Sequence, residues 1–455
     1  MSDSAVTQFS TTITSFGAPV EVTCSLHEYR LALRIPFETA HSRSTFRTNA
    51  LTTLTLTSDG VSVTGYGEAG LPPLRPGVYN ATFDTVTQFT EAVQNKLIPT
   101  PETEAEAEAE GETEGEDDMA PMTEVYDPFA PYGDAIAKPF FPVQDSPTDN
   151  LSKLLALSEV FKAIDAALSS PAPCSAKAAP AGAACWEMAA LDVWGRLTKT
   201  PLHHLTPSTE EREQSLRSYY TVGVGSPDET KVALDFGLSK TSAIKLKVGS
   251  DASQTASAVE ALAARGLKHV AIDANCSHTP ESASLLLDQC QAASLDLTIL
   301  EQPFPVEVED GDIESWSAFK DAAKERGVVT LSDESFHGRD PVANCQSASK
   351  VASAVNIKLE KVGGVRQGLL AAQTAKQAGL DVWAGIMVVS TLGVNASVVI
   401  LKAATLGGDL DGALLVTPDS DKFSGGWQWG SEAGLGAGCG SVLLSEEAGL
   451  GVTKK

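Results

Sequence analysis

Three acidic and two basic residues recur at a regular interval in the second half of the chain, each closing a short apolar run. Lys247 ends Ala-Ile-Lys245-Leu-Lys247, Asp273 ends Val-Ala-Ile-Asp273 and Glu301 ends Thr-Ile-Leu-Glu301. Asp333 follows Thr-Leu-Ser, and Lys358 follows Val-Asn356-Ile. Successive members lie about 25–32 residues apart, the length of one strand plus one crossover helix. If such strands run parallel, their carbonyl ends share one face and the five side chains converge on one mouth. The chemistry implied is a metal site flanked by two bases. Carboxylates without Cys or His suit Mg²⁺, which takes oxygen ligands and keeps positions for water and substrate oxygens. Positive charge nearby disfavours a protonated lysine, so Lys247 and Lys358 are expected to act as bases. Lys245, two residues before Lys247 on the same strand face, is expected to add to that effect. Lys361, three residues past Lys358, is expected to be a structural partner near the Gly363-Gly364 turn. Two bases beside a metal-bound carboxylate predict removal of the proton alpha to it, through an enediolate stabilised by Mg²⁺. If one lysine removes the proton and the other returns one from the opposite face, the product is an epimer.

These motifs need a particular frame. Each apolar run reads as a strand buried on both faces, which predicts an α/β fold: a (β/α)8-type barrel with an α+β capping domain built from the N-terminal region and the C-terminal tail. The barrel is expected over residues 215–416, starting near Arg217-Ser-Tyr-Tyr-Thr-Val. A seventh strand is expected at Leu380-Asp-Val-Trp-Ala-Gly-Ile-Met387 and an eighth near Asp409-Leu-Asp411-Gly. Residues 1–214 form the expected capping domain. Its runs at 29–35, 51–57 and 61–69 alternate apolar and polar around a Ser-Asp-Gly turn, as an antiparallel meander with one wet face does. Helical periodicity covers 83–97 and 151–168, and a third helix is expected at 185–196. Residues 417–455, rich in Gly, are expected to return to the capping domain.

The chain has 455 residues, 42% apolar, enough for a large core and more than one compact unit. Its formal charge of −26 argues against nucleic acid or an anionic membrane as partner. Much of it is local: residues 101–118 alternate Glu with Ala, Thr or Gly, and self-repulsion without apolar area predicts a disordered insertion over about 101–150. The 7 cysteines are scattered, without a CxxC pair, which fits a reducing compartment. No uninterrupted apolar stretch is long enough to span a bilayer. The start lacks a basic-then-apolar leader pattern, so a cytoplasmic location is expected. The expected partner is a small molecule, and homo-oligomerisation is left open.

As a set, the Lys-x-Lys strand, the Asp/Glu/Asp series and the later lysine resemble the enolase superfamily, in its muconate-lactonising subgroup. Gly65-Tyr-Gly-Glu-Ala, Met188-Ala-Ala-Leu-Asp-Val-Trp-Gly and Ser424-Gly-Gly resemble its capping elements, so the likeness covers nearly the whole chain outside the acidic insertion. Asp409-Leu-Asp411 resembles the Asp-x-Asp of dipeptide epimerases, which binds a substrate's free α-ammonium group. The resemblance implies Mg-dependent epimerisation of an L,L-dipeptide such as L-Ala-L-Glu at its C-terminal residue, by 1,1-proton transfer. It implies Lys247 and Lys358 as the acid/base pair, Asp273, Glu301 and Asp333 as metal ligands, and Lys245, Asp409 and Asp411 as substrate-binding groups. Asn275, Gln302, Glu334 and Asn356 would support them. Two departures bear on substrate orientation and side-chain preference. Val389 stands where the family usually carries Glu before Ser390. The loop His41-Ser42-Arg43-Ser44-Thr45 leaves Arg43 and Arg47 as alternatives for an acidic substrate side chain. The alternatives are a muconate cycloisomerase, an o-succinylbenzoate synthase or an N-acylamino acid racemase on the same scaffold. Outside enzymes, the alternative is a binding protein using the acidic insertion.

Overall fold

The computed structural model describes residues 7–14, 19–38, 42–98, 125–141, 148–169, 178–207, 213, 215–249, 251–338, 340–430 and 441–455. The N-terminal part is an antiparallel sheet of β1 (Thr7–Ile13), β2 (Val20–Glu38), β3 (Arg43–Ser58) and β4 (Val61–Ala69), paired in that order. Asp59 and Gly60, at φ 52 and 74, make the tight β3–β4 turn, where positive φ at both positions matches the strand twist. One face packs on the helix Ala179–Thr198, nearly all of which is buried. Gly67 permits this approach: a Cβ there would lie 1.9 Å from the Cys185 carbonyl oxygen. Helices Phe83–Leu97 and Thr148–Ser169 complete the layer.

The expected disorder over 101–150 does not extend through 125–141. Phe129, Tyr132, Ile136 and Phe140 in that stretch are buried, and Trp194 Nε1 donates to the Phe140 carbonyl at 2.9 Å. Arg366 reaches across to donate to the Pro128 carbonyl at 2.9 Å. The aromatic residues supply the apolar area that the Glu/Ala tract lacks. Residues 101–118, on which the disorder reading chiefly rests, lie outside the described residues.

The second body is a parallel sheet of β5 (Tyr220–Val222), β6 (Ala243–Lys247), β7 (His269–Asp273), β8 (Leu297–Glu301), β9 (Val329–Ser332), β10 (Ala354–Ile357) and β11 (Asp381–Ala384), in sequential order. Helices separate these strands, and Ser226, Asp251, Thr279 and Asp340 cap four of them by accepting from first-turn N–H groups. No strand forms at the expected eighth position. Gly408 instead makes isolated parallel bridges to Ser218 beside β5 and to Ala384 on β11, so this one segment touches both edges of the sheet. Gly407-Gly408-Asp409-Leu410-Asp411 has no β-branched or continuous apolar run to extend, and a short helix starts at Gly412.

The tail folds back on the N-terminal sheet. Thr417 N–H donates to the Ala32 carbonyl at 2.8 Å, Lys422 N–H to Tyr29 Oη at 2.7 Å, and Phe423 packs edge-on to Tyr66. Among the described residues, no helix is long and apolar enough to cross a membrane.

Candidate active site

Strand register explains why the charged residues converge. Lys247, Asp273 and Glu301 are successive Cα partners across β6, β7 and β8. Side chains in one row of a parallel sheet project to the same side at the same height. Asp333 lies just past β9 and Lys358 just past β10, so the two lysines bracket the three carboxylates in strand order. The backbone directly after two of these strands is left-handed at Asn275, Cys276 and Gln302, with φ 43, 64 and 39. Non-glycine residues hold such angles only when surrounding contacts dictate them. Gln302 shows those contacts: its Oε1 accepts from Asp333 N–H at 2.6 Å and Ser335 N–H at 3.3 Å, while its Nε2 donates to Ser335 Oγ at 2.7 Å.

Every expected ligand is buried and closed on a lysine or an amide. Lys247 pairs closely with Asp273 and donates to Asn275 Oδ1 at 3.2 Å. Lys245 Nζ lies 3.1 Å from Glu301 Oε2 and 2.5 Å from Asp409 Oδ2, and Asn356 Nδ2 donates to Glu301 Oε1 at 2.7 Å. Asp333 receives Lys358 at 2.7 Å and Lys361 at 2.5 Å. Lys361 also donates to the carbonyls of Asp333 and Asn356, at 2.6 and 3.0 Å. The structural partner that Lys361 holds is thus the Asp333 carboxylate. Asn275 Nδ2 bridges to Glu334 Oε1 at 3.0 Å.

Electrostatics follow from this crowding. Burial alone would raise the carboxyls of Asp273 and Asp333, but the adjacent lysines outweigh it and hold both below the ordinary range. Glu301 is pushed up to about 8 by burial and by Asp273 and Asp333, against the pull of Lys245. Burial would lower Lys245 and Lys358, yet the carboxylates around them hold both above the usual lysine range.

Six carboxylates (Asp273, Glu301, Asp333, Glu334, Asp409 and Asp411) stand here against four lysines (Lys245, Lys247, Lys358 and Lys361). Two buried acceptors beside the triad, Glu334 Oε2 and Asn356 Oδ1, have no hydrogen-bond donor among the described residues, and such oxygens are the ones a cation or its water satisfies. An all-oxygen donor set fits Mg²⁺. Among the described residues, the group of three whose ligand atoms fall within 4.8 Å of one another is His203, His204 and Glu446, none of which lines this mouth. The triad's oxygens turn instead to the lysines.

A cavity of about 170 Å³ opens above this row, lined by Lys245, Lys247, Lys358, Glu334, Asp409 and Asp411 on the side of the parallel sheet. Phe37, Arg47, Leu74, Arg75 and Tyr79 line it from the N-terminal part. Asp411 Oδ2 accepts from Thr221 N–H at 2.5 Å, and burial with the neighbouring Asp409 pushes its carboxyl up to about 7. Asp409 Oδ1 accepts from Trp383 Nε1 at 2.6 Å. Thr221, Trp383, Arg75 and Tyr79 belong to none of the charged motifs. Only Trp383 carried a signal, a lone large aromatic in an expected barrel strand. Val389 is buried and Ser390 is held by Glu68, which accepts from its N–H and hydroxyl.

Residues 233–454 match the family described as Enolase C-terminal domain-like. A protein named as an enolase superfamily member, from Dictyostelium discoideum, is 28% identical over 428 residues, spanning 90% of this chain and 92% of that protein. The L-Ala-D/L-Glu epimerase of Bacillus subtilis is 28% identical over 247 residues, 53% of this chain and 64% of its own. Its substrate-liganded structure superposes with TM-score 0.66 at 19% identity, covering 95% of this chain and 98% of that one. A Methylococcus capsulatus dipeptide epimerase complexed with Mg and L-Arg-D-Lys gives 0.64 at 20% identity, covering 94% and 98%. By this match, residues 233–454, which carry all the lysines and carboxylates of the site, are an Enolase C-terminal domain-like region.

Proposed function

We infer that the chain is an isomerase, a Mg²⁺-dependent dipeptide epimerase acting at the C-terminal residue of an L,L-dipeptide. One observation carries the reading: Lys247 and Lys358 bracket a buried carboxylate row, and the same cavity holds a second acidic pair, Asp409 and Asp411. Relatives named as dipeptide epimerases support it. The seven parallel strands, with the Gly408 segment bridging their edges, act as a (β/α)8-type barrel. Residues 1–214 and 417–455 cap it.

Asp273, Glu301 and Asp333 would hold Mg²⁺, whose charge favours build-up of negative charge on substrate carboxylate oxygens as the α-proton leaves. Lys245 neutralises Glu301 and Asp409 behind them. Asp409 and Asp411 receive the α-ammonium, which fixes the dipeptide's direction and sets its C-terminal α-carbon between the lysines. One lysine takes the α-proton and the other delivers one to the opposite face. Asn275, Gln302, Asn356 and Glu334 hold these side chains in place.

The side-chain preference follows from the two arginines. Arg43 is taken by Glu38 and Glu229, at 2.7 and 2.6 Å. Arg47 is buried in the cavity wall, and its only hydrogen bond among the described residues is a 3.4 Å contact to the Phe46 carbonyl. A buried guanidinium without a carboxylate favours an anionic ligand group. An acidic side chain at the epimerised residue is therefore preferred. The test is a panel of Ala-Glu, Ala-Gln, Ala-Phe and a cationic dipeptide with Mg²⁺, read by separating L,L from L,D products. Turnover of Ala-Glu at least tenfold above Ala-Gln supports the whole reading. Turnover of a muconate, with none of any dipeptide, overturns it.

A further inference from the structure

Trp383 sits on β11 with its side chain inside the sheet's curl, fully buried, in a small apolar cluster separate from the main core. Its neighbours there are Tyr219, Ala243, Ala271, Ala354, Ile299 and Leu331. Barrel interiors are usually filled by bulky branched residues from each strand. Here three strands contribute alanine, at 243, 271 and 354, and one indole with the Tyr219 ring 4.8 Å away occupies the room they leave. A tryptophan is placed in such a site at a cost unless its N–H is met. It is met by a carboxylate that faces the cavity: Nε1 donates to Asp409 Oδ1 at 2.6 Å. Lys245 holds the other oxygen, Oδ2, at 2.5 Å. The Asp409 carboxylate is thus gripped from the barrel floor at both oxygens. A carboxylate has about four lone-pair positions, so two remain for a ligand on the cavity side.

We propose that Trp383 is a positioning residue: its indole N–H, braced by the alanine-lined floor, fixes Asp409 in the orientation that receives the substrate's α-ammonium group. This rests on the epimerase reading above. Trp383 does not touch substrate, so its effect must pass through Asp409 and must depend on the ammonium. The same grip accounts for the glycine at 408. A Cβ there would lie 2.3 Å from the Ala384 carbonyl oxygen, so the chain carrying Asp409 is pressed against the strand carrying Trp383.

The test compares wild type and Trp383→Phe on two substrates: L-Ala-L-Glu, and its analogue with propionyl in place of alanyl, which lacks the ammonium. Loss of a hydrogen bond to a buried charged group corresponds to about a tenfold or larger effect. The expected result is KM for L-Ala-L-Glu raised about tenfold with kcat changed less, and a clearly smaller change for the propionyl compound. Equal losses on both substrates overturn the proposal, because a purely structural Trp383 would damage both alike. Should the variant fail to fold, the wild type supplies the answer through its indole N–H resonances, with Trp383 identified by its response to Asp409→Asn. That resonance is expected to move on binding L-Ala-L-Glu and to stay in place with the propionyl analogue. No movement with turnover intact overturns the role of Trp383 alone. No movement and no dipeptide turnover removes the epimerase reading as well.

Discussion

Replacing Asp411 by Asn separates what this carboxylate does for the substrate from what it costs the fold. Asp411 is buried against Asp409, and together these push its carboxyl up to about 7. An unfolded aspartate titrates near 3.9, and the difference corresponds to about 4 kcal/mol. Because the folded value is the higher one, the folded protein keeps its proton more readily. This destabilisation is absent below about pH 4, grows up to about pH 7 and is fully present above it. Asn retains an oxygen for the Thr221 N–H that now meets Asp411 at 2.5 Å. At pH 8 and without Mg²⁺, the variant is expected to gain about 2–4 kcal/mol, roughly 2–4 °C in Tm for a chain this long. Function moves the other way. Removing one partner of a buried charge pair costs about 2–3 kcal/mol here, since Asp409 remains, or ~30- to 150-fold in kcat/KM for a free-ammonium dipeptide. In the wild type, kcat/KM for that substrate should fall below pH 7 as Asp411 takes up a proton, and the variant should lack this limb. The assay is kcat/KM between pH 6 and 9, beside thermal unfolding at pH 8. Wild-type activity in the variant, or activity and Tm lost together, would refute the reasoning.

Further outcomes follow from other contacts. Arg47→Met should collapse the Ala-Glu over Ala-Gln preference in kcat/KM to near unity, and a preserved ratio would remove Arg47 from side-chain recognition. Lys247→Ala and Lys358→Ala should each lower epimerisation by about 10²–10⁴, and each should retain α-proton exchange from only one of the two epimers. Exchange from both epimers in either variant would contradict opposed lysines. Mg²⁺ at about 100 times its Kd should stabilise the protein by about 2.7 kcal/mol, and Asp273→Ala should abolish this rise in Tm. Gly67→Ala should destabilise by several kcal/mol in urea unfolding, because its Cβ would meet the Cys185 carbonyl at 1.9 Å.

Much of the site was legible in the sequence because a parallel sheet turns linear spacing into spatial rows. Lys247, Asp273 and Glu301 each close an apolar run, and register alone aligns them. The meander, the helix Phe83–Leu97 and the return of the tail were legible for similar local reasons: alternation, periodicity and turn residues. Three features were not. The eighth segment reaches its place through two glycines and bridges to both neighbours, so it carries no strand pattern. The stretch 125–141 is Pro-rich and follows the acidic tract, yet Phe129 and Phe140 anchor it in the core. Lys361 and Trp383 act on carboxylates supplied by other elements, Asp333 after β9 and Asp409 near the closing bridge. Such long-range pairings leave no mark in the spacing of either partner. The lysine–carboxylate pairings, too, depend on which oxygens converge in space, so the charge state of Lys245 and Lys358 could not be read from neighbours in sequence.

The central claim is that two lysines address opposite faces of one substrate α-carbon. Proton NMR of L-Ala-L-Glu with the Mg²⁺-loaded enzyme in D₂O tests it most directly. Opposed lysines require loss of the C-terminal residue's α-proton signal together with appearance of the L,D diastereomer deuterated at that carbon. Retention of the α-proton across the whole dipeptide panel, with metal demonstrably bound, would contradict it.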